Sequence, residues 1–171
     1  MEPREPDRQD GGSSWIKRIV VAADGSPASR QGLEQVADFA PRLGARVTVV
    51  FVRHLPTAAL MDPGVANSLV LESLDEVESN VRQEAIRVLG GSRLEWEFVV
   101  RDGSPGEEVV KVVREVGADL VVVGSNRHSS LHNLLLGSTA AYLTAHSPAP
   151  VLVMRSKAAG DLKPALLELA R

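Results

Sequence analysis

The chain has 171 residues, 44% of them hydrophobic and 24% charged, which suits one globular domain with a substantial core. A net charge of −3 and only 4% aromatic residues argue against general nucleic-acid or anionic-membrane binding, and no apolar run is long enough to span a bilayer. The absence of cysteine excludes disulfides, thiolate metal sites and cysteine nucleophiles.

Met1 to Ser14 mixes Pro, Gly, Ser and charges without periodicity and is expected to be a disordered tail. It lacks the apolar centre of a secretory signal, so the cytoplasm is the expected compartment. Trp15 to Ala23 reads as a first strand. Asp24-Gly25-Ser26-Pro27 then turns the chain, with Ser26 as N-cap and Pro27 as first helical residue. Leu33, Val36, Ala37 and Ala40 recur at helical spacing, and Gly44 is the expected stop. Pro41 is expected to bend that helix or end it early.

Arg46 to Arg53 reads as the second strand, and His54 to Asn67, with two prolines, as a loop. Leu69 to Leu89 reads as a long helix with Leu74, Val77, Val81, Ala85, Val88 and Leu89 on one side. Gly90-Gly91 stops it. Leu94 to Arg101 alternates apolar and acidic residues, the pattern of an edge strand with one wet face. Ser104-Pro105-Gly106-Glu107 has the form of a capping box for a valine-rich helix that Gly117 ends. Ala118 to Val123 reads as the fourth strand, Ser138 to His146 as the next helix and Val151 to Met154 as the fifth strand. Ala158 to Arg171, with Leu162, Leu166, Leu167 and Leu169, reads as a C-terminal extension with a short amphipathic helix. Strands alternating with helices imply an α/β fold with a parallel sheet covered on both faces.

The stretch from Val121 to Thr139 stands out. A buried-type valine run ends at Gly124, and Gly137-Ser138-Thr139 follows as a helix mouth. Backbone amides at two such corners favour an anion between them. Gly124 followed thirteen residues later by Gly137-Ser138 resembles the motif of the universal stress protein family. That motif is a Gly, two residues, a Gly, nine residues, then Gly-Ser or Gly-Thr. Its second glycine falls on Arg127 here. The resemblance spans Trp15 to Arg155, leaving 1–14 and 156–171 outside it.

The resemblance implies a single three-layer, doubly wound domain with strand order 3-2-1-4-5. Ligands in such a sheet sit where the order reverses, between strands one and four. It further implies ATP as ligand, with Mg accompanying it, and a regulatory role in the stress response with at most slow hydrolysis. The residues it points to are Ala22, Ala23, Asp24, Val52, Val123, Gly124, Ser125, Arg127, Gly137, Ser138 and Thr139. Asp24 also reads as a turn former, Val52 as core and Ser138 as a plain cap. Ser125 and Asn126 read either as phosphate contacts or as a solvated loop. Arg127 reads either as a phosphate clamp or as a plug in a nucleotide-free interaction module of the same fold. A weaker third reading is an enzyme of the wider adenine-nucleotide hydrolase-like superfamily. Val151 to Met154 is apolar at a sheet edge and resembles the family's homodimer strand. No catalytic residue is assigned: a Walker lysine is absent, and no Ser-His-Asp spacing stands out. No metal ligand is assigned either, since His128 and His132 read as surface histidines.

Overall fold

Valine-rich stretches become strands and the amphipathic stretches between them become helices. The computed structural model describes residues 14–54, 68–125 and 137–155. Its elements run β1 (Arg18–Ala22), α1 (Pro27–Leu43), β2 (Arg46–Arg53), α2 (Ser68–Leu89), β3 (Trp96–Asp102), α3 (Pro105–Val116), β4 (Leu120–Ser125), α4 (Ser138–His146) and β5 (Val151–Arg155). The expected tail, the proline-containing loop beyond His54, the Asn126–Leu136 loop with Arg127, and the C-terminal extension lie outside the described residues.

The five strands form one parallel sheet in the order β3-β2-β1-β4-β5. The expected α/β architecture and strand order are therefore both observed. β1 sits in the centre, with Val20 opposite Thr48 of β2 and Val121 of β4. Ile19, Val20 and Val21 are buried, so the two sheet faces share a central strand with no wet side. On one face Ile19, Val21, Val49 and Val122 pack with Leu33, Val36 and Ala40 of α1 and Val81, Ala85 and Leu89 of α2. On the other, Val20, Val50, Val121 and Val123 pack with Val109, Val112 and Val113 of α3 and Ala140 and Leu143 of α4. Each of the valine, leucine and isoleucine side chains contributes about 1.5–3 kcal/mol of burial. Among the described residues no helix is long and apolar enough to cross a membrane.

Several local expectations need correction. β1 starts at Arg18 rather than Trp15, which is 69% exposed. What fixes the strand's entry is the Asp119 carboxylate, which accepts the backbone N–H of Lys17 (2.8 Å) and of Arg18 (2.9 Å). Pro41 does not end α1 early: the helix runs through it to Leu43. It sits in the last turn, where the end is closed by Gly44 at φ 61°. Gly44 N–H donates to the Pro41 carbonyl (3.2 Å) and Ala45 N–H to that of Ala40 (3.1 Å). Ser104 does take the N-cap position of α3, but its side chain makes no capping bond. Glu108, bonded instead to Lys111, and Glu107 supply negative charge to that first turn. Val77 of α2 stays 42% exposed rather than joining the core. β3 is an edge strand as expected, with Glu97 exposed and bonded by the buried Thr48 hydroxyl (2.9 Å).

A charge cluster ties α2 to the end of β2. The Glu78 carboxylate accepts from Arg53 Nε and from Arg82 Nη2, each at 2.9 Å, and the Arg82 guanidinium lies 4.3 Å over the Phe98 ring. Burial pushes the Glu78 carboxyl up, but the bonds from Arg82 and Arg53 outweigh it and hold its pKa below the ordinary 4.5. The folded protein thus binds this proton less tightly than the unfolded chain. Its stabilisation is full above the unfolded value and disappears as pH falls through the lower folded one. Both arginines are substantially solvated, so Glu78→Gln is expected to cost only about 1 kcal/mol at pH 7. The difference from wild type should shrink in denaturant titrations as pH falls below the ordinary carboxylate range and through the lower folded value. A penalty that persists at acid pH would show that packing, not charge, is what Glu78 contributes.

Candidate functional site

The C-terminal ends of β1 and β4 lie side by side because the strand order reverses between them. A cavity of about 330 Å³ opens there, in the size range of small-molecule sites. Its floor is Ala22, Ala23 and Asp24 after β1 and Val123 and Gly124 of β4. Its apolar side is Val50, Val52 and Val109 beside Pro105. Its far wall is the start of α4, Gly137, Ser138, Thr139 and Ala140. Of the residues singled out from sequence, Ala22, Ala23, Asp24, Val52, Val123, Gly124, Gly137, Ser138 and Thr139 are thus brought together. Ser125 is buried and does not line the cavity. Arg127 lies outside the described residues.

Asp24 does two things at once. One carboxylate oxygen accepts the Ser26 N–H (2.9 Å) and shapes the turn, while the residue borders the cavity. Gly25 beside it has φ 79°, and Ala23 N–H donates to the Val50 carbonyl (2.9 Å). Gly124 is required for packing: a Cβ there would stand 2.6 Å from the Ser29 nitrogen and 2.8 Å from the Ala28 carbonyl carbon. The first turn of α1 therefore rests directly on β4.

Three of the helix mouths at this end of the sheet, those of α1, α3 and α4, differ electrostatically. α1 is closed by Ser26, whose hydroxyl oxygen accepts the Ser29 N–H (3.2 Å). α3 carries Glu107 and Glu108 in its first turn. α4 has neither a capping side chain nor an acid. Its first helical bond runs from Ala141 N–H to the Gly137 carbonyl, so the amides of Ser138, Thr139 and Ala140 have no acceptor within the helix. Gly137 has φ −55° and ψ 154°, a conformation open to any residue, so backbone geometry does not call for glycine there. Among the described residues no group of three His, Cys, Asp or Glu side chains is placed to hold a metal ion.

A second cavity of about 310 Å³ lies between α1 and α2, lined by Leu33, Val77 and Val81 and shut on one side by the Arg30–Glu84 ion pair (3.0 Å). Asp24, Gly25 and Ser29 at the start of α1 also border it, but there the Ser29 N–H is already taken by the Ser26 hydroxyl (3.2 Å).

The chain matches the model of the universal stress protein family over residues 16–155. It belongs to that family. Its relatives include the universal stress protein YxiE of Bacillus subtilis, 26% identical over 150 residues that cover 82% of this chain and 99% of that one. The solved structure of MJ0577 from Methanocaldococcus jannaschii shares the fold at a TM-score of 0.69 and 24% identity, covering 83% of this chain and 97% of that one. A universal stress protein in complex with cAMP matches at a TM-score of 0.62 and 24% identity, covering 83% and 98%. One from Archaeoglobus fulgidus in complex with dAMP matches at 0.57 and 20%, covering 82% and 98%.

Four lining residues of this universal stress protein escaped the sequence reading: Val50, Pro105, Val109 and Ala140. Val50 and Val109 look like any core valine. Pro105 was legible in principle, because a helix that starts after a strand starts at the sheet's C-terminal end, where the cleft lies.

Proposed function

We propose that this universal stress protein binds an adenine nucleotide in the β1/β4 cleft and acts as a regulator rather than a catalyst. The observation that carries the reading is the mouth of α4, which among the described residues has neither a capping side chain nor an acid and borders a 330 Å³ cavity. Such a mouth offers three amides and the positive end of a helix dipole to a phosphate. The apolar side of Val50, Val52 and Val109 suits a base, and the Asp24 carboxylate oxygen that accepts no bond from the described residues suits a sugar or base donor. The cAMP and dAMP complexes of proteins with this fold support the same ligand class. ATP extends it, with Mg arriving on the phosphates, since the described residues supply no metal cage.

Thermal melting tests the reading. At a hundredfold excess over Kd a ligand specific for the native state adds about 2.7 kcal/mol. For a chain of this size that raises Tm by about 5–10 °C. AMP, cAMP and ATP are each titrated at up to millimolar concentration. No shift with any of them refutes the proposal, and a shift with ATP alone assigns the site to the triphosphate.

The same reading includes a homodimer through β5. Val151, Leu152 and Val153 are only half-buried on a strand paired, among the described residues, with β4 alone. Light scattering is expected to give a dimer for wild type and a monomer for Leu152→Lys with unchanged circular dichroism. A wild-type monomer at micromolar concentration excludes it.

A further inference from the structure

The cleft has two helical walls, the start of α3 at Pro105 and the start of α4 at Gly137 to Ala140. The two helices pack together in one apolar cluster, and Gly106 meets Tyr142 within that packing. Gly106 is buried, and a Cβ built on it would stand 2.6 Å from Tyr142 Cδ1, 2.7 Å from Cγ and 2.9 Å from Cβ. Swinging the ring aside cannot relieve the last of these, because Cβ moves only with the α4 backbone. The ring is also held in place: it stacks on His146 at 4.1 Å and 18°, and His146 Nδ1 donates to the Tyr142 carbonyl (2.9 Å).

We infer that Gly106 and Tyr142 are positioning residues that set the width of the nucleotide cleft. Glycine at 106 lets α4 approach α3 by the thickness of one side chain, and Tyr142 is the wedge that stops the approach. Neither lines the cavity, so both act through the amides of Ser138 to Ala140 on one side and through Pro105 and Val109 on the other. At the resulting spacing a ligand spans both walls, its base on the valine side and its phosphate on the α4 amides. A wider cleft leaves the base contacts intact and moves the phosphate off its donors. The ligand arm of this inference rests on the adenine-nucleotide reading above.

The test uses Gly106→Ala, Gly106→Val, and Gly106→Ala combined with Tyr142→Ala. Adenosine and AMP are titrated calorimetrically into each. In Gly106→Ala the AMP-to-adenosine affinity ratio is expected to fall at least fivefold. The added Tyr142→Ala, which clears the ring, is expected to restore most of it. A merely destabilised protein would lose both ligands alike and leave the ratio unchanged. The chain has no cysteine, so spin labels can be placed at Glu107→Cys and Ala141→Cys, both exposed and each beside one mouth. Gly106→Val is expected to lengthen their separation by about 2 Å, the scale of relieving a carbon contact far inside its optimum. No lengthening overturns the wedge, and lengthening with an unchanged ratio overturns its link to the ligand. Wild type that binds neither nucleoside nor nucleotide refutes the proposed function instead, and the label distances then decide the wedge alone.

Discussion

Gly124→Ala is expected to lower stability by roughly 2–4 kcal/mol and Tm by about 5–15 °C, although the change adds a single methyl group. The atoms that meet the new Cβ are the Ser29 nitrogen at 2.6 Å and the Ala28 carbonyl carbon at 2.8 Å. Both are backbone, so no rotamer change relieves the clash, and α1 must lift off β4. Gly44→Ala is the informative control. Gly44 has φ 61° with nothing near the added atom, so that change should cost only about 1 kcal/mol of left-handed strain. Melting curves of the two variants side by side check the ranking. Equal losses would mean that the α1–β4 approach relaxes easily and that Gly124 is not a packing requirement.

Gly137→Asp is expected to move stability and binding in opposite directions. Aspartate is a favoured N-cap residue, and the φ −55°, ψ 154° backbone accepts it without strain. The ligand-free variant should melt at or slightly above the wild-type temperature. Its carboxylate would take the amides that a phosphate needs and repel the phosphate's charge as well. AMP affinity should fall at least tenfold, on the order of 1.4 kcal/mol or more. Adenosine affinity should change far less. Calorimetry on both ligands with a melt of each protein reads all of this from one preparation. Unchanged AMP affinity would place the phosphate elsewhere in the cleft.

The alternation of strands and helices was legible because each element's period shows in a single window of sequence. Seventeen residues of α1 between Ser26 and Gly44 read correctly from their caps. Strand order was not legible that way, since valines of β1 and β4 that meet across the sheet are a hundred residues apart, and it came from the family resemblance. The site was half legible for the same reason. Gly124 and Gly137 announce themselves by spacing, whereas Pro105 and Val109 reach the cleft only through the packing of α3. Pro41 did not end α1 early because it removes a single donor in the last turn, and the Gly44 and Ala45 amides beyond it still close the helix end. The Gly106–Tyr142 contact left no trace in either local pattern.

The two borders of the sheet are unlike, and that difference sets a limit on growth. β3 interrupts its half-buried Trp96, Phe98, Val99 and Val100 with Glu97 and with Arg101, which is held by Glu115, whereas β5 offers three successive apolar positions, Val151 to Val153. An endless ribbon of protein needs an adhesive border on each side, so that every added copy exposes a fresh one. The proposed pair joined through β5 would turn outward the two β3 borders. If the proposed β5 pairing forms, association by that route terminates at two copies and leaves no adhesive border to extend into a ribbon.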